Sequence, residues 1–198
     1  MVLLLFSCHN GRVTESTSDT DSTDIETRLE ADTLSEVEEE IEEQKMDTED
    51  SVVTVERIDL HDEKLRTYEF KQLSGKWKLT SMHDVVFHES DIYDFLTFYA
   101  RFSTDTLYQQ SHVEQPLKVT VLDPEDDNAY IEGTIDAEQW RSFCPDVPHG
   151  VISNIRYGAQ KYNSRQIVMQ KSGSSNGLQE LFVFMKEDGE WRLTTYEN

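Results

Sequence analysis

The chain has 198 residues, with 40 acidic residues against 18 Lys and Arg and a formal net charge of −22. A chain this acidic is repelled by phosphate backbones and anionic bilayer surfaces, which argues against nucleic acid as a partner. Most of the acidity lies in the first 60 residues, where 18 acidic residues stand against 4 basic ones. Beyond them the composition is that of an ordinary globular protein.

The N-terminus reads MVLLLFSC, with an apolar run over Val2 to Phe6 that is too short to span a bilayer. The residues Leu5, Phe6, Ser7 and Cys8 resemble a bacterial lipobox, in which a signal peptidase cuts before the Cys and the Cys receives a lipid. Residues 1–8 are therefore predicted to be a partial lipoprotein signal, with Cys8 as the lipid-attachment site. This places the protein in the bacterial cell envelope, on the periplasmic or cell-surface side. If the run is the plain start of a cytosolic protein, the location is the cytoplasm.

Residues 9–50 are rich in Ser, Thr, Asp and Glu and contain no aromatic residue. They cannot bury enough apolar surface to offset the entropy of ordering, so they are predicted to form an acidic, disordered tether. A charged, self-repelling spacer after a lipid anchor holds a folded domain away from the membrane. Within it, Leu34, Val37 and Ile41 fall at helical spacing and allow a short helix.

Period-two patterns begin at residue 51 and predict a three-strand meander over residues 51–83, with a turn at residues 73–76. The meander ends in GKWKLTS at residues 75–81, and the chain ends in a near copy, GEWRLTT at 189–195. Aligning Trp77 with Trp191 also aligns the apolar positions upstream. The meander is therefore either a degenerate first repeat or a pair of hairpins that look alike.

Residues 84–198 are predicted to form the main domain. Ser90 begins a helix whose apolar face is Ile92, Phe95, Leu96, Tyr99 and Phe102. A short helix is predicted over residues 104–111, and Pro116 marks the start of the next strand. An acidic turn then joins it to AYIEGTI as a hairpin. One or two helical turns, a loop and three strands complete the chain.

The segment from Ile92 to Leu117 resembles an uncharacterised family of bacterial lipoproteins, domain of unknown function 4348, which has the nuclear-transport-factor-2-like (NTF2-like) fold. The resemblance covers about residues 88–198. It implies an α+β cone, in which a curved, mostly antiparallel sheet wraps around a long helix and leaves a cavity at the open end. The positions that match the family are Phe95, Phe98, Asp105, Tyr108, Gln109, His112, Pro116, Leu117 and Trp191, with His112 where Arg is expected.

Enzymes that resemble this fold place an Asp or His base and a Tyr donor inside the cone. The polar residues available here are Tyr99, Asp105, Tyr108, His112, Arg156 and Tyr162, and no pair has the spacing of a catalytic dyad. The candidate ligand-binding residues are Tyr99, Asp105, Tyr108, Gln109, His112 and Arg156.

Other chemistry has weak support in the sequence. The His and Asp residues of HDVVFH and the acidic turn at residues 123–132 do not match zinc or calcium spacing, so neither a metal nor a cofactor is predicted. With Cys8 acylated, Cys144 has no partner for an internal disulfide, and its aromatic neighbours favour a small buried hydrophobe over a nucleophile.

The favoured function is that of a non-enzymatic, membrane-anchored lipoprotein whose cone binds a small ligand or a protein partner. The alternatives are an isomerase-like or dehydratase-like enzyme, and an assembly module that forms a homodimer through its open sheet.

Overall fold

A computed structural model of the chain describes residues 2–7, 34–35, 41, 51–136, 138–140, 146–158, 163–173 and 179–198. Its strands are β1 (Val2–Ser7), β2 (Val52–Asp59), β3 (Lys64–Leu73), β4 (Lys76–Val86), β5 (Val113–Asp123), β6 (Asp126–Ile135), β7 (Val151–Tyr157), β8 (Gln166–Ser172), β9 (Gln179–Glu187) and β10 (Glu190–Glu197). In these described residues the strands form one sheet in the order β4-β3-β2-β7-β1-β8-β9-β10-β5-β6. Neighbours are antiparallel, except that β1 is parallel to β8 and β10 is parallel to β5.

The predicted meander of β2, β3 and β4 extends the main sheet. β2 pairs with β7 from Val53 opposite Tyr157 to Asp59 opposite Val151. β4 continues to Val86 and so crosses the boundary predicted between residues 83 and 84. Both Gly-x-Trp phrases therefore belong to the same sheet.

Two short helices stand where the sequence predicted one long and one short helix. Helix α1 spans Tyr93–Phe102 and helix α2 spans Thr106–Ser111. Ser90 is not the N-cap of α1. It ends the 3₁₀ turn Phe87–Glu89, and Ile92 is the N-cap residue of α1. The fold is α+β with a mostly antiparallel sheet, but its main helix has 10 residues and is not long. No helix in the described part of the chain is long and apolar enough to cross a bilayer.

Pro116 lies inside β5 and does not begin it. The strand starts at Val113, and its pairing with β10 steps from Val113 opposite Leu193 to Lys118 opposite Thr195. Because proline has no backbone N–H to give to a ladder, this irregular stretch is where the strand can accommodate it.

The sequence patterns did not predict β7 or β1. Four consecutive residues of β7, Ile152 to Ile155, are buried, since side chains on both faces of this central strand are covered. Such a strand lacks the alternation of a half-exposed one. β1 consists of the apolar residues interpreted as part of a signal, and it pairs with β7 on one side and β8 on the other.

The larger core lies on the face of the sheet that α1 covers, called here the inner face. The rings of Phe95, Tyr99 and Phe102 pack against Phe184 of β9 at centroid distances of 5.2–5.7 Å. Burial of several such rings is the main source of stability for this face.

A second, smaller core lies on the opposite, outer face, around Val55, Phe70 and Ile155. The two repeated tryptophans join different cores. Trp191 packs against Phe95 of α1, with ring centroids 5.0 Å apart, whereas Trp77 is half-buried beside the outer core.

The residues of the predicted tether that the structure describes are helical. These are Leu34, Ser35 and Ile41. Ile41 is fully buried in the outer core, and its carbonyl oxygen accepts a hydrogen bond from the hydroxyl of Tyr157 at 3.2 Å. At these positions the chain is packed on the domain, which differs from the prediction of a disordered segment over 9–50. The helical spacing of Leu34 and Ile41 in the sequence was the signal for a helix that packs on the domain.

Candidate functional site

Asp105, a candidate from the sequence, is the N-cap of α2. Its Oδ1 accepts the backbone N–H groups of Leu107 at 3.1 Å and Tyr108 at 3.0 Å. Its Oδ2 lies 3.4 Å from Nε of Arg101. The backbone hydrogen bond from Tyr108, with the Arg101 guanidinium, holds the pKa of Asp105 below its ordinary value. A capping carboxylate that is 40% exposed is a poor general base.

Tyr108 and His112 form a stack at the end of α2. Their ring centroids are 3.9 Å apart, and the guanidinium carbon of Arg101 lies 4.1 Å from the centroid of Tyr108. His112 Nδ1 is 2.8 Å from the carbonyl oxygen of Tyr108. Arg101, Tyr108 and His112 therefore form a stack of a cation on two aromatic rings, which stabilises the end of α2.

Gln109 connects the two helices to the helical residues 138–140 that follow β6. Its Nε2 donates to the carbonyl oxygen of Phe102 at 3.1 Å, and its Oε1 accepts the indole N–H of Trp140 at 3.2 Å. Trp140 is fully buried, so this bond pairs a buried polar group. Gln109 is thus a partly buried structural contact.

Tyr99 is fully buried, and its hydroxyl donates to the carbonyl oxygen of Pro148 at 2.6 Å. Burial, helped by the charge of Asp146, raises the pKa of Tyr99 well above its ordinary value. The hydroxyl is therefore held neutral and is engaged with the backbone.

Arg156 lies on the inner face of β7, away from the other candidates. Its Nη2 donates to Glu56 Oε1 at 2.8 Å, and Asn154 Nδ2 donates to Glu56 Oε2 at 2.6 Å. A second acidic group on this face is held in the same manner. Glu180 lies 3.0 Å from Lys171 Nζ and accepts the Tyr196 hydroxyl at 2.5 Å. Paired charges of this kind stabilise a buried polar layer.

The structure thus brings Asp105, Tyr108 and His112 together with Arg101, and it places Tyr99, Gln109 and Arg156 elsewhere. Cys8, Cys144 and Tyr162 lie outside the described residues. Among the residues that are described, no three His, Cys, Asp or Glu side chains cluster as metal ligands would.

A groove of about 1100 Å³ lies on the outer face, where β2 ends and β3 begins. Its floor consists of cross-strand rows that run over β4, β3, β2 and β7. One row reads Val86, Lys64, Asp59 and Val151, and the next reads Asp84, Arg66 and Arg57. Tyr68 of the outer core also lines the groove, as do Phe87, His88 and Tyr93.

The middle of the groove is charged, with two arginines and the carboxylate of Asp84. Arg57 and Arg66 stand directly opposite each other on neighbouring strands. Arg66 turns towards β4, where its Nε donates to Asp84 Oδ1 at 2.7 Å and holds the pKa of Asp84 below its ordinary value. Arg57 turns towards β7, where its Nη1 lies 3.5 Å from Ser153 Oγ. The two guanidinium groups therefore diverge from a shared position.

The groove rim is apolar and exposed. Val86 is 51% exposed, Val151 41% and Tyr93 39%. Exposed apolar side chains grouped around a concavity, with charged groups at its centre, are typical of a small-molecule site. Sequence reasoning missed this groove because it treated residues 51–83 as a structural meander. The available signal was the hairpin register, which sets Arg57 opposite Arg66 once the turn at residues 60–63 is recognised.

The sheet, the two short helices and the aromatic inner core define an α+β domain of the NTF2-like class. A crystal structure of an NTF2-like protein from Bacteroides fragilis matches this chain with a TM-score of 0.68 and 32% sequence identity, over 80% of this chain and 70% of the other. The family profile described as a domain of unknown function (DUF4348) matches residues 28–198. The chain belongs to this family. Comparison with curated proteins gives no match.

Proposed function

We propose that this protein is a non-enzymatic, membrane-anchored lipoprotein whose NTF2-like domain binds a small ligand in the outer-face groove. The observation that carries this proposal is the groove of about 1100 Å³ with its exposed apolar rim. Its volume is comparable with that of sites that hold drug-sized ligands. The ligand site therefore moves from the interior of the cone, where the resemblance had placed it, to the outer face of the sheet.

The absence of catalysis in this proposal is supported by the contacts of the acid and base candidates. Asp105 caps a helix, and the Tyr99 hydroxyl is bound to a backbone carbonyl. General acid–base catalysis requires a group whose proton can be exchanged with a substrate. Both groups instead have structural partners, so neither is offered to a ligand.

A groove variant tests the binding function. Native mass spectrometry of the full chain, purified from bacterial membranes without denaturation, is expected to show a retained small molecule. Val86→Glu places a charge on the groove rim and is expected to abolish retention. Leu122→Glu is the matched control, because Leu122 is also an exposed apolar strand residue, at 42%, and belongs to β5. Equal retention by both variants would disprove the groove as the site.

The lipid anchor is proposed from the lipobox resemblance at residues 5–8. Cys8→Ala is expected to abolish the incorporation of labelled palmitate. The mass of the mature N-terminus provides a second test, since cleavage before Cys8 removes the residues that form β1. A mature chain that retains Val2–Ser7 would contradict the anchor and would leave β1 in the sheet.

A further inference from the structure

The turn between β3 and β4 forms a basic tip with an exposed apolar side chain at one end of the sheet. We propose that this tip contacts the surface of an anionic lipid bilayer, with Leu73 in the interfacial layer and three lysines at the lipid phosphates. The lysines are Lys71, Lys76 and Lys78, and residues 71–78 are called here the basic tip. The inference rests on the membrane-anchored part of the proposed function, because an anchor holds the domain within reach of a bilayer.

The basic tip is a tight and exposed end of a hairpin. Ser74 and Gly75 both have positive φ, at 56° and 78°, as the two central residues of a type I′ turn do. Leu73, directly before the turn, is 50% exposed. Trp77 pairs with Gln72 and is half-buried beside the outer core. The tip is therefore a convex projection with an apolar apex and a nearby indole, a shape suited to insertion among lipid head groups and not to enclosing a peptide.

The three lysines of the tip lie close together and are exposed. Lys71 and Lys78 are directly opposite each other on β3 and β4, an arrangement of like charges that costs stability. In the part of the chain that the structure describes, none of the three side chains forms an ion pair or a hydrogen bond. Lysines on an edge strand deter pairing with other chains, but Lys71 belongs to β3, which is not at the edge. Protection of the edge therefore does not account for the whole cluster.

The other hairpin turns that lie within the described ranges are acidic, whereas residues 70–83 contain no acidic residue. Their acidic residues are Asp62 and Glu63 between β2 and β3, Asp123, Glu125 and Asp126 at the β5–β6 turn, and Glu187, Asp188 and Glu190 at the β9–β10 turn. The β9–β10 turn points to the same end of the sheet as the tip, but β9 is five strand positions from β3, about 24 Å at the usual spacing. Charges that far apart are largely screened, because the Debye length is about 8 Å. An anionic surface thus attracts the basic tip and repels the other turns, and it orients the domain.

The chain that leads from the predicted anchor enters the sheet beside the basic tip. The carbonyl oxygen of Ser51 accepts the backbone N–H of Gln72 at 2.9 Å. Ile41, earlier in the chain, belongs to the outer core against which Trp77 packs. The end of the domain next to the anchor segment is therefore the end that carries the tip.

The acidity of the rest of the chain determines how the contact works. The net charge of −22 and the acidic residues of segment 42–50 oppose free association with an anionic surface. An anchor overcomes this opposition because it raises the effective concentration of the tip at the bilayer, so a weak contact is sufficient. The tip then sets the orientation of a domain that the anchor already holds.

Tryptophan quenching on vesicles tests this contact. The full chain with Cys8→Ala and an N-terminal histidine tag is held on vesicles by a nickel-chelating lipid, so that the tag replaces the predicted anchor. The phosphatidylcholine is brominated in its upper acyl chain, vesicles with and without phosphatidylglycerol are compared, and matched vesicles without bromine give the reference. Trp140 is fully buried and Trp191 is 5% exposed, so quenching by bromine reports on Trp77. Trp77→Phe is expected to abolish the quenching.

We expect quenching on the vesicles that contain phosphatidylglycerol. Leu73→Glu is expected to abolish it, whereas Leu122→Glu, at the exposed apolar end of the β5–β6 hairpin, is expected to leave it unchanged. Lys78→Gln is expected to lower the ratio of bound to free tips about fivefold, the contribution of one lysine at an anionic surface. Lys118→Gln is the matched control without an effect, since Lys118 is also an exposed strand lysine. Circular dichroism and urea midpoints confirm that each variant is folded.

The outcomes separate this inference from the proposed function. A wild type without quenching, or equal quenching of the Leu73→Glu and Leu122→Glu variants, would overturn the proposed contact. Quenching that is as strong on phosphatidylcholine alone would show that the anionic class of surface is wrong. Because the tag supplies the attachment, a failure of Cys8 to incorporate palmitate refutes the anchor alone and does not produce either of these results.

Discussion

Replacement of Arg156 by Met is predicted to destabilise the fold through the buried carboxylate of Glu56. The Glu56 side chain is 9% exposed and that of Arg156 is 21% exposed, with 2.8 Å between Oε1 and Nη2. Met keeps the unbranched apolar stem of Arg and removes the guanidinium. Glu56 then keeps the hydrogen bond from the amide of Asn154 at 2.6 Å and loses the one from the guanidinium of Arg156 at 2.8 Å.

The expected magnitude lies between those of exposed and buried ion pairs. An exposed pair contributes about 0–1 kcal/mol, and removal of one partner from a fully buried pair costs about 3–5 kcal/mol. Because Arg156 is partly exposed, we expect Arg156→Met to lower the free energy of unfolding by about 2–3 kcal/mol. Removal of the charge from both partners is much less harmful. The double variant Glu56→Gln with Arg156→Met is therefore expected to lie within about 1 kcal/mol of the wild type.

Urea unfolding of the full chain, followed by tryptophan fluorescence and circular dichroism, measures both variants. The result that supports the reasoning is a double variant that is more stable than the single Arg156→Met variant. Two results would refute it: a loss below about 0.5 kcal/mol in the single variant, or a double variant that is less stable than the single one. Either would mean that the charge of Glu56 does not depend on Arg156.

Three further predictions concern other contacts. Asp94→Asn should cost about 0.5–1 kcal/mol at pH 7, a surface magnitude because Asp94 is 66% exposed. Lys186, followed by the indole of Trp191, lowers the pKa of Asp94. This stability is therefore present above the unfolded pKa near 4 and is lost as the pH falls through the lower folded value, so urea midpoints of variant and wild type should converge below that folded value. Tyr99→Phe should cost about 1–2 kcal/mol in urea unfolding, since it orphans the carbonyl of Pro148. Asp105→Ala should lower the urea midpoint through the lost N-cap, and an unchanged midpoint would contradict that role.

Much of the fold was predictable because its patterns are local. Alternation along Val52–Asp59 and Lys64–Leu73 predicts strands that are covered unevenly on their two faces. The apolar stripe of α1 also matches the face that is buried. β7 was not predictable in this manner, since a strand covered on both faces has no alternation to detect. The burial of Ile41 depends on tertiary packing that residues 9–50 alone do not reveal.

The candidate site was harder to predict than the fold. Asp105 and Gln109 match the family motif, and in the structure they cap and join helices. A sequence motif does not separate such structural contacts from ligand contacts. Arg57 and Arg66 belong to an ordinary-looking hairpin. Their opposition requires the exact register of two strands, and a shift of one residue would place them on opposite faces.

The central claim is that the ligand site lies on the outer face of the sheet and not within the aromatic inner core. Nuclear magnetic resonance of the ¹⁵N-labelled full chain, titrated with the small molecule that native mass spectrometry shows to be retained, tests this claim directly. The account predicts the largest amide shifts at the groove, in residues 57–68 and 84–88 and at Val151, with small shifts around Tyr99 and Phe184. The largest shifts around Tyr99, Phe184 and Trp140, with an unperturbed groove, would contradict it.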